Sequence, residues 1–307
     1  MKLFQAAKRV SLFVVVNLLV VATLSLVLSL VMHLLGPEHR IPAGSFQSLM
    51  IFCLVWGMGG AFISLALSRV MAKWFMGVRV IDPNTTDPAL RELLETVYAL
   101  ARRAELPEMP QVGCYESDEV NAFATGPSKS RSLVAVSSGL LRRMERGEVE
   151  GVLAHEVAHI ANGDMVTMTL IQGVINAIAM FLARILAFVV AQALRSRDER
   201  GSGWMQFMLV QVLQVVLSLL GSIVVCWFSR WREFRADAGG AAYSSRTNMI
   251  GALRALQRFH ENPALADATG STAFQALKIN SRRGGLMQLF STHPPLEERI
   301  ARLQAGQ

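Results

Sequence analysis

The sequence predicts a mainly α-helical integral membrane protein with a small β-sheet, about four transmembrane helices and a polar domain assembled from two stretches of chain. Three observations lead there. Apolar residues make up 52% of the 307 residues and charged residues only 17%, below the roughly 25% of a soluble domain. The apolar residues cluster into uncharged runs of transmembrane length. Between and after these runs lie amphipathic and turn-punctuated segments with the periodicity of a folded domain.

Val10 to Leu35 contains no charged residue and is dominated by Leu and Val. At about −0.3 to −0.6 kcal/mol for each such residue at a helix centre, its insertion into a bilayer is favoured. It exceeds the apolar region of a secretory signal, and no small-residue cleavage pattern follows it in "GPEHRIPAGS", so a retained anchor is expected. Phe46 to Ser68 is a second uncharged run, and the two form a hairpin with both ends on one side. Met165 to Leu194 and Trp204 to Ser229 form a second apolar pair, joined by "RSRDERGSG". The expected organisation is therefore a transmembrane hairpin over 1–69, a first part of the polar domain over 70–164, a second hairpin over 165–229 and a second part of the domain over 230–307.

Lysine and arginine orient the spans. Lys2, Lys8 and Arg9 precede the first, Arg69, Lys73 and Arg79 follow the second, and Arg230, Arg232 and Arg235 follow the fourth. This bias puts the termini and the polar domain on the cytoplasmic side, although Arg195, Arg197 and Arg200 lie in the loop assigned outside. The net charge of +7 sits beside apolar spans and lacks a base-stacking aromatic pattern, which favours a lipid bilayer and excludes nucleic acid as partner. The three cysteines form neither a disulfide framework nor a CxxC metal site. Arg184 is the odd residue of the third run; snorkelling toward an interface is the expected way to accommodate it.

Within the polar domain, "DPALRELLETVYALARRAEL" starts with Asp-Pro and repeats apolar residues at Leu90, Leu93, Leu94, Val97, Leu100 and Ala101, predicting an amphipathic helix. "PQVGCYES", "VNAFATG" and "SLVAVSSGLL" predict a small sheet leading into a helix. Another helix, Glu148 to Asn162, follows and carries "HEVAH". After the second hairpin, "RWREFRADAGGAAY", "TNMIGALRALQRFH" and "LEERIARL" read as helices.

On the Glu148–Asn162 helix, His155 and His159 lie four apart on one face and can direct both imidazoles at one Zn2+ ion. Glu156 lies a further 100° round, able to reach a water at the metal without binding the metal itself. Such a carboxylate can take the proton of the attacking water and pass it to a leaving amine, as peptide hydrolysis requires. A third ligand is needed. Asn162 and Met165 occupy the places that an elongated metzincin motif would fill with Gly and His, and no acid occurs between Asp164 and Asp198. Asp164 follows too closely to turn back easily onto the metal, and its replacement is not expected to weaken metal binding. Glu233 is the better candidate, with Asp237 four residues on as the acceptor that orients a histidine N–H. The alternative for "WREFRAD" is a solvated helical face of local salt bridges.

"HEVAH" followed by "NGD", the apolar spans, "EFRAD", the upstream "NAFATG" and the downstream "STHPP" together closely resemble the HtpX family of bacterial membrane zinc endopeptidases, relatives of the CaaX prenyl-protein proteases. The resemblance runs over essentially the whole chain. It implies a cytoplasmic gluzincin-type zinc protease domain with one Zn2+ per chain, bound by His155, His159 and Glu233, and Glu156 as general base and acid. It also implies an inner-membrane enzyme cutting misfolded membrane proteins on their cytoplasmic side, in quality control and stress response, with overlap with other membrane proteases. Asn121, Ala122, Phe123 and Ala124 would belong to an edge strand that pairs with extended substrate, and His293 would donate to the tetrahedral oxyanion. A CaaX-type processing protease and an inactive zinc-binding scaffold are the alternatives.

Overall fold

A computed structural model describes residues 43–193, 202–261 and 286–306. The Val10–Leu35 run and the loop expected outside lie beyond the described residues. Among those that are described, three helices are long and apolar enough to cross a membrane: Ser45–Phe75, Asp164–Ala193 and Gly203–Tyr243. The described residues are mainly helical and hold one four-stranded mixed sheet.

The described residues divide into two compact units: 43–63 with 169–193 and 202–225, and 64–168 with 226–261 and 286–306. In the first unit, helix α1 (Ala43–Phe75) packs on helix α5 (Asp164–Ala193) through Phe46, Cys53, Phe181 and Ile185. Gly57 allows the close approach, since a Cβ there would meet the Ala177 backbone at 2.6 Å. Arg184 is half-buried: its Nη1 donates to the Met180 carbonyl at 2.9 Å and its guanidinium lies 5.6 Å from the Phe52 ring centroid. Its own helix and an aromatic face thus accommodate the charge.

The second unit contains β1 (Arg79–Val80), α2 (Pro88–Arg103), β2 (Gln111–Tyr115), β3 (Ala122–Ser128), β4 (Arg131–Ser137), α3 (Ser138–Arg143) and α4 (Arg146–Asn162). To these it adds the end of α6 (Ser202–Tyr243), α7 (Arg246–Glu261), a 3-10 turn at Leu286–Phe290 and α8 (Leu296–Gln304). Asp87 caps α2, its carboxylate accepting from the Ala89 and Leu90 amides, with Pro88 opening the helix. The strand order is β1-β2-β4-β3, parallel between β2 and β4 and antiparallel elsewhere. Central β4 alternates: Val134 and Val136 face the core formed with Leu93, Val97, Leu100, Leu153 and Val157, while Leu133 and Ala135 pack with Val78 and Tyr115. β3 pairs with β4 alone among the described strands and is a sheet edge.

Two helices run unbroken across expected domain limits, α1 through 69/70 and α6 through 229/230. The 42 residues of α6 extend about 63 Å, about twice the hydrocarbon thickness, so the helix continues past its apolar part into the charged "RWREFRAD". α4 is gripped on two sides. A Cβ at Gly240 of α6 would stand 3.1 Å from the His155 amide nitrogen, and one at Gly151 would stand 2.4 Å from the Asn248 carbonyl oxygen of α7. A Gly151→Ala change should therefore cost on the order of 1–3 kcal/mol as α4 and α7 separate. Gly251→Ala on the same α7, where a Cβ would touch only the Glu148 side chain at 3.8 Å, should be neutral or stabilising; thermal unfolding of the two variants checks the contrast.

Candidate metal centre

Helix α4 starts with a capping box between Glu145 and Glu148 and ends at Gly163, whose φ of 71° only glycine adopts without strain. From Gly151 to Ile160 every residue is buried except Glu156, which is half-exposed. His155 and His159 are packed into the unit, and Glu156 keeps partial access to solvent. Its carboxylate has no hydrogen-bond partner among the described residues.

Helix α6 brings Glu233 to the two histidines. It is fully buried, and its ligand atom and those of His155 and His159 lie within 4.8 Å of one another. The separations are 3.1 Å between the two Nε2 atoms, 3.4 Å from His155 Nε2 to Glu233 Oε2 and 3.4 Å from His159 Nε2 to Glu233 Oε1. Four ligands at about 2.0–2.1 Å in a tetrahedron stand about 3.3–3.4 Å apart, so this spacing suits Zn2+.

The opposite ring nitrogens strengthen the case. His155 Nδ1 lies 2.9 Å from Asp237 Oδ1, and His159 Nδ1 lies 2.7 Å from Asp164 Oδ2. When each Nδ1–H donates to its carboxylate, both Nε2 atoms become lone-pair acceptors aimed at each other and at Glu233, whose Oε1 is buried without a hydrogen-bond partner. A buried cluster of acceptors requires a cation or protons. Without metal, protons answer that requirement: burial pulls the His155 imidazole down, but Asp237 and Glu233 outweigh it and raise it to about 9.

An arginine stands behind each carboxylate. Arg299 of α8 is 6% exposed and grips Asp237 with Nε at 2.8 Å and Nη2 at 2.6 Å. Arg235 reaches Asp164 at 2.6 Å. The site thus holds two relays, His155–Asp237–Arg299 and His159–Asp164–Arg235, and each fixes a ring and its tautomer. Asp164 has a role that the sequence reading did not assign, accepting from His159 Nδ1–H. It stays out of the metal-facing triad, yet left-handed Gly163 turns the chain so tightly that Asp164 heads α5 and lies behind His159. Sequence reasoning also missed Arg235 and Arg299; the available signal was Arg299 on the same helical face as buried Ile300 and Leu303.

His293 is largely exposed, and its Nδ1 lies 3.0 Å from Glu233 Oε2. Asn121 precedes β3, and Ala122 and Ala124 pack against the core that includes Leu153 and Val157 of α4. Phe123 turns to the other face and meets Tyr115 with ring centroids 5.9 Å apart. The free edge of the sheet therefore belongs to the strand packed on the histidine helix.

Two histidines one turn apart, a carboxylate from another helix and an open sheet edge form the arrangement of a metallopeptidase. Residues 87–307 match Peptidase family M48. The chain is 49% identical over 303 residues to the Protease HtpX homolog of Bacillus velezensis, with 97% of this chain and 99% of that protein covered. It is 47% identical over 296 residues to Protease HtpX of Pasteurella multocida, with coverages of 96% and 97%. Among solved structures, Ste24p of S. mikatae superposes with a TM-score of 0.54 at 18% identity, over 95% of this chain and 66% of that one, a likeness of fold alone. The chain belongs to peptidase family M48 and, within it, to the HtpX proteases.

Two outcomes follow from this geometry. Asp164→Asn and Asp237→Asn should each weaken zinc binding about 10- to 100-fold, measured by competition with a chromophoric chelator. Because the His155 pKa is raised to about 9, its charge stabilises the metal-free fold fully below the ordinary value of about 6.5 and loses that effect as pH rises through about 9. Thermal unfolding in chelator should show stability falling across this interval, and zinc-loaded protein should not show the same fall.

Proposed function

We propose that this chain is a membrane-anchored zinc endopeptidase that cleaves misfolded or damaged membrane proteins on the cytoplasmic side of the bacterial inner membrane. The observation that supports it most is the convergence of His155 Nε2, His159 Nε2 and Glu233 within 4.8 Å, with both Nδ1 atoms engaged by carboxylates. His155, His159 and Glu233 would hold the zinc, which when bound acidifies water and polarises a carbonyl.

Glu156 then accepts the proton of the attacking water. It is the half-exposed residue of an otherwise buried helical segment and has no described partner to tie up its oxygens. The same carboxylate returns the proton to the leaving amine. Substrate enters as an extended strand on the free edge of β3, through Asn121 to Ala124, where backbone hydrogen bonding gives affinity with little sequence selection. That tolerance suits damaged proteins as a substrate class. His293 meets Glu233 through Nδ1, and when the ring carries both protons its Nε2–H donates to the developing oxyanion.

A CaaX-processing role has no observation of its own in favour, since the likeness to Ste24p is one of fold alone. A non-enzymatic scaffold would have no use for Glu156 beside the metal site.

The test compares zinc-loaded wild type with Glu156→Gln on casein and on a membrane-protein substrate. The variant should bind zinc normally and lose at least about 100-fold in kcat. Equal cleavage by both, or no cleavage by zinc-loaded wild type, would refute the assignment.

A further inference from the structure

The face of α6 that carries Glu233 and Asp237 extends backward through Arg230 and Cys226. Positions 226, 230, 233 and 237 are separated by four, three and four residues, so their side chains form one column along the helix. Each takes hold of the C-terminal segment, and in register. Cys226 Sγ donates to the Phe290 carbonyl at 3.3 Å. Arg230 Nη1 lies 2.6 Å from the Ser291 carbonyl and 3.2 Å from those of Gln288 and Leu289, its two N–H groups donating to the three oxygens with one N–H shared. Glu233 meets His293 at 3.0 Å and Asp237 meets Arg299 at 2.6 Å.

Arg230 is the strongest link between this column and the turn before His293. Leu286–Phe290 is a 3-10 turn whose final carbonyls have few partners from the turn itself. A cation collecting two of these carbonyls, Gln288 and Leu289, and that of Ser291 just beyond them partners all three and opposes the negative end of the turn. Ser291 then continues the connection, with its hydroxyl donating to the His293 carbonyl at 2.7 Å. The path from Arg230 to His293 contains no regular helix or strand that could hold the imidazole independently. His293 is also the most exposed of the groups around Glu233, with a side chain 61% accessible, so packing does little to fix its ring.

We infer that Arg230 is a positioning residue for peptide hydrolysis: by clamping the carbonyls of residues 288, 289 and 291 it fixes the His293 imidazole at Glu233 and aims its free nitrogen into the cleft. The inference rests on the proposed oxyanion role of His293. Arg230 is outside the metal-facing group of His155, His159 and Glu233, and its effect passes through the turn. It should therefore change turnover while leaving zinc binding intact.

A double-mutant cycle on the full-length, zinc-loaded protein in detergent, with casein as probe, separates the possibilities. His293→Ala should lower kcat about 100-fold. Arg230→Ala should lower kcat at least about tenfold through misplacement of the ring, with zinc stoichiometry and KM nearly unchanged. The double variant should be no slower than His293→Ala, because the two residues act as one unit. Arg230→Lys should recover part of the loss, since all three bonds leave a single nitrogen and an ammonium group offers three donors; this variant also serves if Arg230→Ala fails to fold. If His293→Ala is slow but Arg230→Ala and Arg230→Lys both match wild type, the positioning role is wrong and the oxyanion role stands. Losses that multiply in the double variant would likewise overturn it. A fully active His293→Ala would refute the oxyanion role first, and the role of Arg230 with it.

Discussion

The second unit is organised by a conflict of charges at its centre. Two imidazoles and a carboxylate are buried within 4.8 Å of one another, and their metal-facing atoms are all acceptors once the outer ring nitrogens have donated. Such a cluster is costly in a low-dielectric interior unless a cation joins it. Much of the surrounding structure holds that cluster together. Asp237 and Asp164 fix the rings from behind, and Arg299 and Arg235 neutralise those aspartates in turn. Four helices, α4, α5, α6 and α8, supply these residues, so a bound metal and the tertiary fold would stabilise each other.

Backbone geometry makes this possible at two points. Gly163 ends α4 in a left-handed turn, which allows Asp164 to serve a histidine only five residues before it. Gly240 lets α6 approach α4 closely enough for Glu233 to reach both histidines, because any side chain there would press on the His155 backbone. These glycines explain why the metal-binding motif continues into "NGD" and why "EFRAD" continues into "AGG".

Local patterns of spacing were legible in the sequence. The Asp-Pro start and apolar stripe of α2, the strands β2, β3 and β4, the α4 helix and the approach of Glu233 and Asp237 all depend on periods of two or of three to four residues. The short β1 strand was missed, since two residues carry no periodicity. Asp164 stays outside the metal-facing group as expected, but its contact with His159 Nδ1 is not foreseeable from spacing, which assumes continued helix and gives no sign of a left-handed residue at 163. Arg299 escaped notice because a charged residue in "LEERIARL" reads as solvated, whereas burial on the Ile300 and Leu303 face depends on which helix lies opposite. The carbonyl clamp at Arg230 is invisible to pattern reading for a related reason: its partners are backbone atoms about sixty residues away.

His155, His159 and Glu233 together form the proposed site for one zinc ion. Zinc-edge X-ray absorption of the loaded protein addresses it directly. One zinc per chain is expected, with two imidazole nitrogens and carboxylate or water oxygen at about 2.0–2.1 Å, and a lost or reorganised spectrum in Glu233→Ala. A sulfur ligand at about 2.3 Å, or an unchanged spectrum and stoichiometry in Glu233→Ala, would contradict it.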